Sequence, residues 1–377
     1  MGGGESGAVV FLFLCWLKPG QSNNERTILS YNYLKRTLLM SHLIVRTLIP
    51  TLLLAAVAAL PASGSPVTFD WAFVANPGNA GDFRGTGHGG VDYTYGISKH
   101  EVTNAQYTAF LNAVDPTGAN ALALYNTSMA GIFGGIENTG AVDGARYVAQ
   151  AGREQNPVNY VSFFDAMRFT NWLHNGQGSG DTETGAYTIG NGFDEVRSAS
   201  AKFWIPSEDE WYKAAYHDAS AGTAGVYFDY ATGSDSIPVS DQPGDNPAAV
   251  NYFNDDGVAN GFNDGYAVNG SGSFPSSTNP FFTDVGAYTA AASPYGTFDQ
   301  NGNVWEWNEA VVSSSFRGVR GGSRVSFWFN LRAGFRNLGS PTFEDSGVGF
   351  RVATVPEPSA VLMGALAACG LLLRRRA

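Results

Sequence analysis

The sequence predicts a compact, loop-rich domain of the α+β class. Glycine supplies 47 of the 377 residues, well above its usual share of about 7%, and glycine permits tight backbone turns. Charged residues make up only 15% of the chain, which argues against a helical bundle. Aromatic residues reach 13%, and rings at this density must be buried or used in binding. A coiled coil and a largely disordered chain are therefore excluded.

The first predicted elements are a strand and a helix. Residues 93–102 alternate between apolar and polar side chains, as a strand does. Thr103 then stands where an N-cap is needed for a helix over residues 104–114, because its side-chain oxygen can accept a first-turn N–H. The apolar residues of this helix have the i, i+3, i+4 and i+7 spacing of one buried face: Tyr107, Phe110, Leu111 and Val114.

Two further helices are predicted from their start signals. Ser162 with Asp165, and Ser207 with Glu210, have the spacing of a capping box, in which each side chain bonds the other residue's backbone N–H. Aspartate is the weaker choice at the first of these boxes. Apolar residues that would be buried follow both boxes: Met167, Phe169, Trp172 and Leu173, then Trp211, Ala214 and Ala215.

No further long helical pattern follows Tyr216. Residues 217–294 are rich in Gly, Asn, Asp, Ser and Pro, which predicts long ordered loops. Ordering each residue costs conformational entropy. Loops of this length inside a compact domain therefore need tight packing or bound metal ions to hold them.

Residues 1–64 are predicted to be a leader that lies outside the domain. Met40 is a second possible start of translation. After it, Arg46 precedes an apolar run over residues 48–60, and small residues follow this run. This is the pattern of a secretory signal peptide, so we expect translation to start at Met40 and signal peptidase to act on the chain. The alternative is a true membrane helix, which Pro50 and the short run disfavour.

Residues 356–377 form a second segment outside the predicted domain, which spans residues 65–355. Val355-Pro-Glu-Pro358 precedes an apolar run over residues 359–373 and a terminal arginine cluster. This combination resembles the PEP-CTERM sorting tail, and an ordinary tail anchor is the alternative. The resemblance implies an exosortase as partner and transient membrane anchoring through 359–373. It also implies a final location on the outer surface, or in the extracellular matrix, of a Gram-negative bacterium.

The predicted domain is acidic and contains no cysteine. Between residues 65 and 355 there are 14 basic and 30 acidic residues, a formal net charge of −16. Such a surface repels nucleic acid, and we expect no nucleic-acid partner. The two cysteines, Cys15 and Cys369, lie in the leader and in the tail. The domain can therefore form no internal disulfide and has no thiol nucleophile.

Six motifs occur in a specific order along the predicted domain. They are Glu101-Val-Thr-Asn, Pro157-Val, Ile205-Pro-Ser-Glu-Asp-Glu-Trp211, Gly302-Asn-Val-Trp-Glu-Trp307, Arg320-Gly-Gly-Ser323 and Gly349-Phe-Arg351. Each motif is weak alone, but together they resemble the sulfatase-modifying-factor domain, the fold of the formylglycine-generating enzyme. The resemblance covers residues 69–353. It implies a single domain with a variant of the C-type lectin fold and little regular secondary structure.

The resemblance also shows which chemistry this chain lacks. The family's oxidase uses two cysteines shortly after the Gly-Gly-Ser motif to bind copper and oxidise a sulfatase cysteine. The first matching position here is Ser326, and no cysteine occurs between it and Leu331. A serine hydroxyl is a poor copper(I) ligand and cannot form a mixed disulfide with a substrate. We therefore expect no formylglycine generation and no copper, and we assign no catalytic residue.

The family's calcium sites carry over better, so the resemblance implies structural calcium, whose preferred ligands are oxygen atoms. The first site would take the side chains of Asp299 and Glu306 and the carbonyls of Gly302 and Val304. The second site would take the side chains of Asn251 and Asp264 and the carbonyls of Tyr252 and Tyr266. The alternative makes Asp299 a turn residue and Glu306 a buried ion-pair partner.

The predicted function is an exported binding or structural module of the cell surface or exopolysaccharide matrix. Its ligand would be a surface protein or a polysaccharide. The candidate contacts lie where the family's active-site rim would be: Ser326, Phe327, Trp328 and Phe329. The alternative for these rings is the core of the domain. The alternative function is an enzyme of the same family that uses non-cysteine chemistry on a peptide or small metabolite.

Overall fold

A computed structural model describes residues 66–84, 87–142, 145–273 and 281–356. The predicted leader with its signal peptide and the hydrophobic part of the predicted sorting tail lie outside the described residues. Within these ranges, no helix is both long enough and apolar enough to span a bilayer.

The three predicted helices are confirmed. They are α1 (Asn104–Val114), α2 (Phe163–His174) and α3 (Glu208–Tyr216). Both predicted capping boxes are complete, at Ser162 and at Ser207. A third box, which was not predicted, starts α1, where the Thr103 N–H donates to Oε1 of Gln106 at 2.9 Å. All three helices therefore begin with their first N–H groups satisfied by side chains.

The strands are short. In chain order the described residues contain β1 (Trp71–Val74), β2 (Tyr95–Ser98), β3 (Ile136–Asn138), β4 (Tyr147–Ala149), β5 (Phe203–Trp204), β6 (Val239–Ser240), β7 (Ala249–Val250), β8 (Phe253–Asp255), β9 (Asp264–Tyr266), β10 (Trp305–Val312), β11 (Phe316–Arg320), β12 (Asn337–Gly339), β13 (Val348–Gly349) and β14 (Ala353–Thr354). Short 3₁₀ helices cover Thr127–Ala130, Ala219–Ala221 and Trp328–Asn330. Few helices and many short strands make this a mixed α+β fold, which confirms the predicted class.

Two four-stranded sheets form the frame. The first has the order β1-β2-β14-β5, and every pairing in it is antiparallel. The second has the order β12-β11-β10-β13, in which only β10 and β13 run parallel. The predicted strand over 93–102 is shorter than expected, because the carbonyls of Ser98 and Lys99 accept hydrogen bonds from Arg351 instead of from a strand.

The main core joins α1 and α2 through aromatic side chains. The ring of Phe169 lies at its centre, 6.0 Å from Tyr107, 5.4 Å from Phe110 and 5.3 Å from Phe350, measured between ring centroids. The apolar faces predicted for both helices are confirmed, with Val114 only partly buried at the edge of the core. These contacts explain where the unusually large aromatic content of the chain goes.

The long segment 217–294 is loop-rich, as predicted. The part of it that the structure describes forms only strands of two or three residues, β6 to β9, and one 3₁₀ turn. Buried side chains from this segment pack with Leu331 in a separate cluster: Tyr230, Val250, Tyr252 and Tyr288. Tight packing, one of the two devices expected for such loops, therefore holds this part of the segment in place.

Glu309 in β10 makes stability depend on pH. Burial raises the pKa of its carboxyl to about 7, despite the nearby Arg197. Tyr187 donates its hydroxyl to Oε1 at 2.6 Å. A glutamate carboxyl in the unfolded chain has a pKa of about 4.3. The stabilising effect of the neutral form is therefore complete below that value and is lost as pH rises through about 7.

The free energy of unfolding of the wild type should fall as the pH is raised from roughly 5 to 8. We expect Glu309→Gln to make this fall smaller, by no more than about 3 kcal/mol. Urea titrations at both pH values measure this loss. Glu137→Gln, at an exposed position of β3, serves as the control and should keep the wild-type slope. Equal slopes for wild type and Glu309→Gln would show that Glu309 is charged throughout this range.

Candidate functional site

Ser326 is a turn residue that follows β11. Its hydroxyl accepts the Ser323 N–H at 2.9 Å and lies 3.2 Å from the Ser323 hydroxyl. Its carbonyl accepts the N–H of Phe253 at 3.0 Å. The side chain is buried, and among the described residues its hydrogen-bond partners are groups of Ser323. This is the geometry of a structural turn, and none of the described residues bonds the Ser326 hydroxyl as a base that would activate a nucleophile.

Three exposed rings follow this turn. Phe327, Trp328 and Phe329 have 48%, 36% and 45% of their surface exposed, so they do not belong to the core. Phe327 and Phe329 stack with their centroids 5.7 Å apart, and Trp328 meets Phe329 edge-on at 5.8 Å. The Phe327 N–H donates to Oδ1 of Asn330 at 3.1 Å, which fixes the turn that presents the rings.

Two partly buried rings extend this group on both sides. Phe253 of β8 meets Phe327 edge-on at 5.6 Å, and Phe335 meets Phe329 at 6.4 Å. We call Phe253, Phe327, Trp328, Phe329 and Phe335 the aromatic ridge. Exposed and contiguous apolar surface of this kind marks interaction sites in soluble proteins. The central three rings are adjacent in sequence and were predicted as candidate contacts. The outer two were not predicted, because nothing local links residues 253 and 335 to them.

The arginines of the closing motifs are ion-paired. Next to the ridge, Arg332 pairs with Asp229 at 3.3 Å and Arg336 pairs with Glu208 at 2.8 Å. Deeper in the domain, Arg320 also pairs with Glu208, at 2.6 Å. These arginines therefore have carboxylate partners within the protein, and the ridge presents ring faces beside charges that are already paired.

The first predicted calcium site contains an ion pair. Both carboxylate oxygens of Glu306 accept from Arg351, at 2.5 and 2.7 Å, and Oε2 also accepts the Trp211 indole N–H at 2.7 Å. Glu306 and Arg351 are fully buried. Asp299 occupies a turn with φ of 60°. Gly302 and Val304 lie between these two residues in the motif. This is the arrangement of the alternative prediction, and the Glu306 oxygens that would bind an ion already have protein partners.

The second predicted calcium site is a hydrogen-bonded loop pair. The Asn251 amide donates to the Phe281 carbonyl at 2.9 Å, and the Tyr252 carbonyl accepts from Ser240 at 2.7 Å. Asp264 accepts the N–H of Gly261 at 2.9 Å. The carbonyl of Tyr266 accepts backbone N–H groups from the turn that follows β9. In the part of the chain that the structure describes, no group of three acidic, histidine or cysteine side chains is arranged to hold a metal ion. Calcium at either site remains a prediction.

The structure adds Glu101 to the residues of interest. It stands in the first of the six motifs, yet nothing in its sequence context predicts its surroundings. Its side chain is 1% exposed, and neither carboxylate oxygen has a hydrogen-bond partner among the described residues. Buried carboxylates are normally paired, so this one needs an explanation.

A family model matches most of the described chain. Residues 90–355 match the family described as the sulfatase-modifying factor enzyme 1-like domain. No curated protein sequence is a significant match to the chain.

Solved structures with a similar backbone include variable protein 1 of Treponema denticola, at 18% identity and a TM-score of 0.43, covering 78% of this chain and 97% of that one. CarF has 21% identity and a TM-score of 0.43, with coverage of 77% and 99%. PvdO from Pseudomonas aeruginosa has 17% identity and a TM-score of 0.35, with coverage of 70% and 82%.

Proposed function

This chain belongs to the sulfatase-modifying factor enzyme 1-like family, and we propose that within it the protein is an exported, non-catalytic binding module. Its α+β fold with few helices is the family's variant of the C-type lectin fold, as predicted. The aromatic ridge is the proposed binding surface. It lies at the position where the resemblance places the rim of the family's active site.

The sequence supports a role other than the family's oxidation reaction. That reaction needs thiols, and the only cysteines of the chain are Cys15 and Cys369, far in sequence from the turn at Ser326. At this turn two serine hydroxyls lie 3.2 Å apart and bond each other. Hydroxyl groups can neither hold copper(I) well nor exchange with a disulfide.

The single observation that carries the proposal is the exposure of the ridge. Three adjacent aromatic side chains in contact with water are unfavourable unless a ligand covers them. Stacked and edge-on rings offer flat apolar faces of the size of a sugar ring, and the arginines beside them are already ion-paired. The acidic domain repels anionic polymers. A neutral polysaccharide therefore fits this surface best.

The location of the protein is part of the same proposal. The leader over residues 1–64 would direct export and be removed by signal peptidase. The tail over 356–377 would anchor the chain transiently until an exosortase acts on it, at the outer surface of a Gram-negative bacterium. The Pro-Glu-Pro motif, the apolar run and the arginine cluster support this assignment.

We expect Trp328→Ala combined with Phe327→Ala to weaken polysaccharide binding by about 10-fold or more, since each ring contact contributes about 0.5–1.5 kcal/mol. Affinity gel electrophoresis with a panel of neutral polysaccharides measures the binding. Phe83→Ala is the matched control, because this ring is 82% exposed and contributes to no part of the ridge. All variants should keep the wild-type unfolding midpoint.

The proposal is contradicted if every polysaccharide that slows the wild type in the gel slows the ridge variant equally. It is also contradicted if no polysaccharide slows the wild type. A polymer that is shortened or modified during the experiment would favour the alternative, an enzyme with non-cysteine chemistry.

A further inference from the structure

One face of the first sheet is apolar and open to water. The registers of β1, β2, β14 and β5 place five residues on this face: Trp71, Phe73, Gly96, Thr354 and Phe203. We call these five residues the outer face. Phe73 has 51% of its surface exposed, and Trp71 and Phe203 are only partly buried. The opposite face of the same sheet is buried in the main core.

Gly96 keeps the outer face flat. A Cβ added at this glycine would lie 2.8 Å from Cγ2 of Thr354 and 3.8 Å from Cε3 of Trp71. Because Trp71 reaches over the glycine, its ring stacks with that of Phe203 at 6.0 Å between centroids, although two strands separate β1 from β5. An antiparallel sheet that meets only water on one side normally presents polar side chains there. Three aromatic rings on such a face therefore indicate a partner.

The apolar run over residues 359–373 is attached directly beside this face. β14 lies between β2 and β5 and contributes Thr354 to the outer face, and the described residues continue to Pro356. Pro356 has no N–H to donate to the sheet, so it ends the strand. Only residues 355–358 separate Thr354 from the run. A connection this short places the start of the run within roughly 17 Å of Thr354.

The run needs cover whenever it is outside a membrane. It contains no charged residue, so exposing it to water is unfavourable. A helix of this length would extend about 22 Å, which is short of the roughly 30 Å hydrocarbon core of a bilayer. The short connection holds the run at an effective concentration in about the millimolar range at the outer face. A segment of another molecule in dilute solution is present at far lower concentration.

We propose that residues 359–373 dock on the outer face of their own domain whenever the run is outside a membrane. The run and the three rings then shield each other from water until a bilayer takes up the run. Charge favours the same placement. Three arginines, 374–376, follow the run, and the exposed Asp70 precedes β1 at the end of the sheet opposite to Pro356. The proposal needs only the apolar run, and it holds whether or not an exosortase acts on the tail.

Cys369 lies within the run and provides a native reporter for the test. In the full-length chain, Cys15→Ser leaves Cys369 as the remaining thiol, and Phe73→Cys adds one on the outer face. We expect mild oxidation of the dilute, lipid-free protein to join position 73 to Cys369 within one chain, because docking brings the two sulfur atoms within bonding reach. Non-reducing electrophoresis and peptide mass mapping measure the fraction joined. Phe83→Cys, at a position 82% exposed and outside the outer face, is the matched control and should give about 10-fold less.

A charge placed within the run should prevent the bond. Leu366→Asp, added to the Phe73→Cys chain, should lower the fraction joined to the level of the control. Ala377→Asp adds the same charge outside the run and should leave the fraction unchanged. Equal fractions at positions 73 and 83, or a bond that survives Leu366→Asp, overturn the proposal. Disulfides that join two chains overturn it as well, since they place the run on a second copy.

The reaction of position 73 with a water-soluble maleimide identifies any other occupant. If the bond to Cys369 does not form and position 73 is shielded without lipid, a different segment covers the outer face. If position 73 is shielded only after vesicles of phosphatidylethanolamine and phosphatidylglycerol are added, the bilayer is the occupant. Either result overturns the proposal. Phe203→Cys repeats the test if Phe73→Cys does not fold.

Discussion

Arg351→Met is expected to destabilise the domain by about 3–5 kcal/mol, because it leaves the buried charge of Glu306 without a partner. Both side chains are fully buried, and the pair is joined by two hydrogen bonds of 2.5 and 2.7 Å. The substitution also removes the donors for three backbone carbonyls that the guanidinium now satisfies. Urea unfolding followed by tryptophan fluorescence measures the loss.

Two variants separate this effect from a general loss of charge. Arg351→Lys keeps the charge but cannot make both bonds to the carboxylate, so an intermediate loss is expected. Arg332→Met breaks the more exposed pair with Asp229 and should cost no more than about 1 kcal/mol. If Arg351→Met fell within the same small range, Glu306 would have to be neutral or held by another cation.

Gly302→Ala is expected to destabilise the domain by an amount similar to that of Arg351→Met. The residue has φ of +93°, and an added Cβ would lie 2.1 Å from the carbonyl oxygen of Asn251, a backbone atom that cannot move aside easily. The left-handed backbone alone costs about 1–2 kcal/mol for a residue other than glycine. The steric overlap should bring the total to about 4 kcal/mol or more, measured by urea unfolding.

The chain offers a matched glycine for comparison. Gly296 also has a positive φ, +81°, but an added Cβ there would meet no atom within 4 Å. Gly296→Ala should therefore show the backbone cost alone. Similar losses for both substitutions would mean that the loop at Asn251 adapts to the extra methyl group.

Local signals explain why the helices could be predicted. Each capping box joins residues three apart, so the start of α2 at Ser162 and of α3 at Ser207 depends little on the rest of the chain. The class of the fold followed from composition for a similar reason, because a high glycine content favours turns and loops along the whole domain.

The site could be predicted only where its residues are adjacent in sequence. Phe327, Trp328 and Phe329 form one turn, but Phe253 reaches them through tertiary packing alone. The surroundings of Glu101 likewise depend on segments near Val158 and Phe350. The motif match identified Glu306 as important and the resemblance placed it at calcium, whereas its contacts with Arg351 became visible only in the fold.

The position of β14 determines when this domain can fold. The strand is nearly the last part of the domain to be synthesised, yet it lies inside the first sheet, with Ala353 opposite both Ile97 of β2 and Trp204 of β5. Without it, β2 and β5 have no common neighbour, and Arg351, just before it, is not yet available to Glu306. Folding must therefore wait until the ribosome has released almost the whole domain, and a chain that ends before Ala353 leaves the sheet divided.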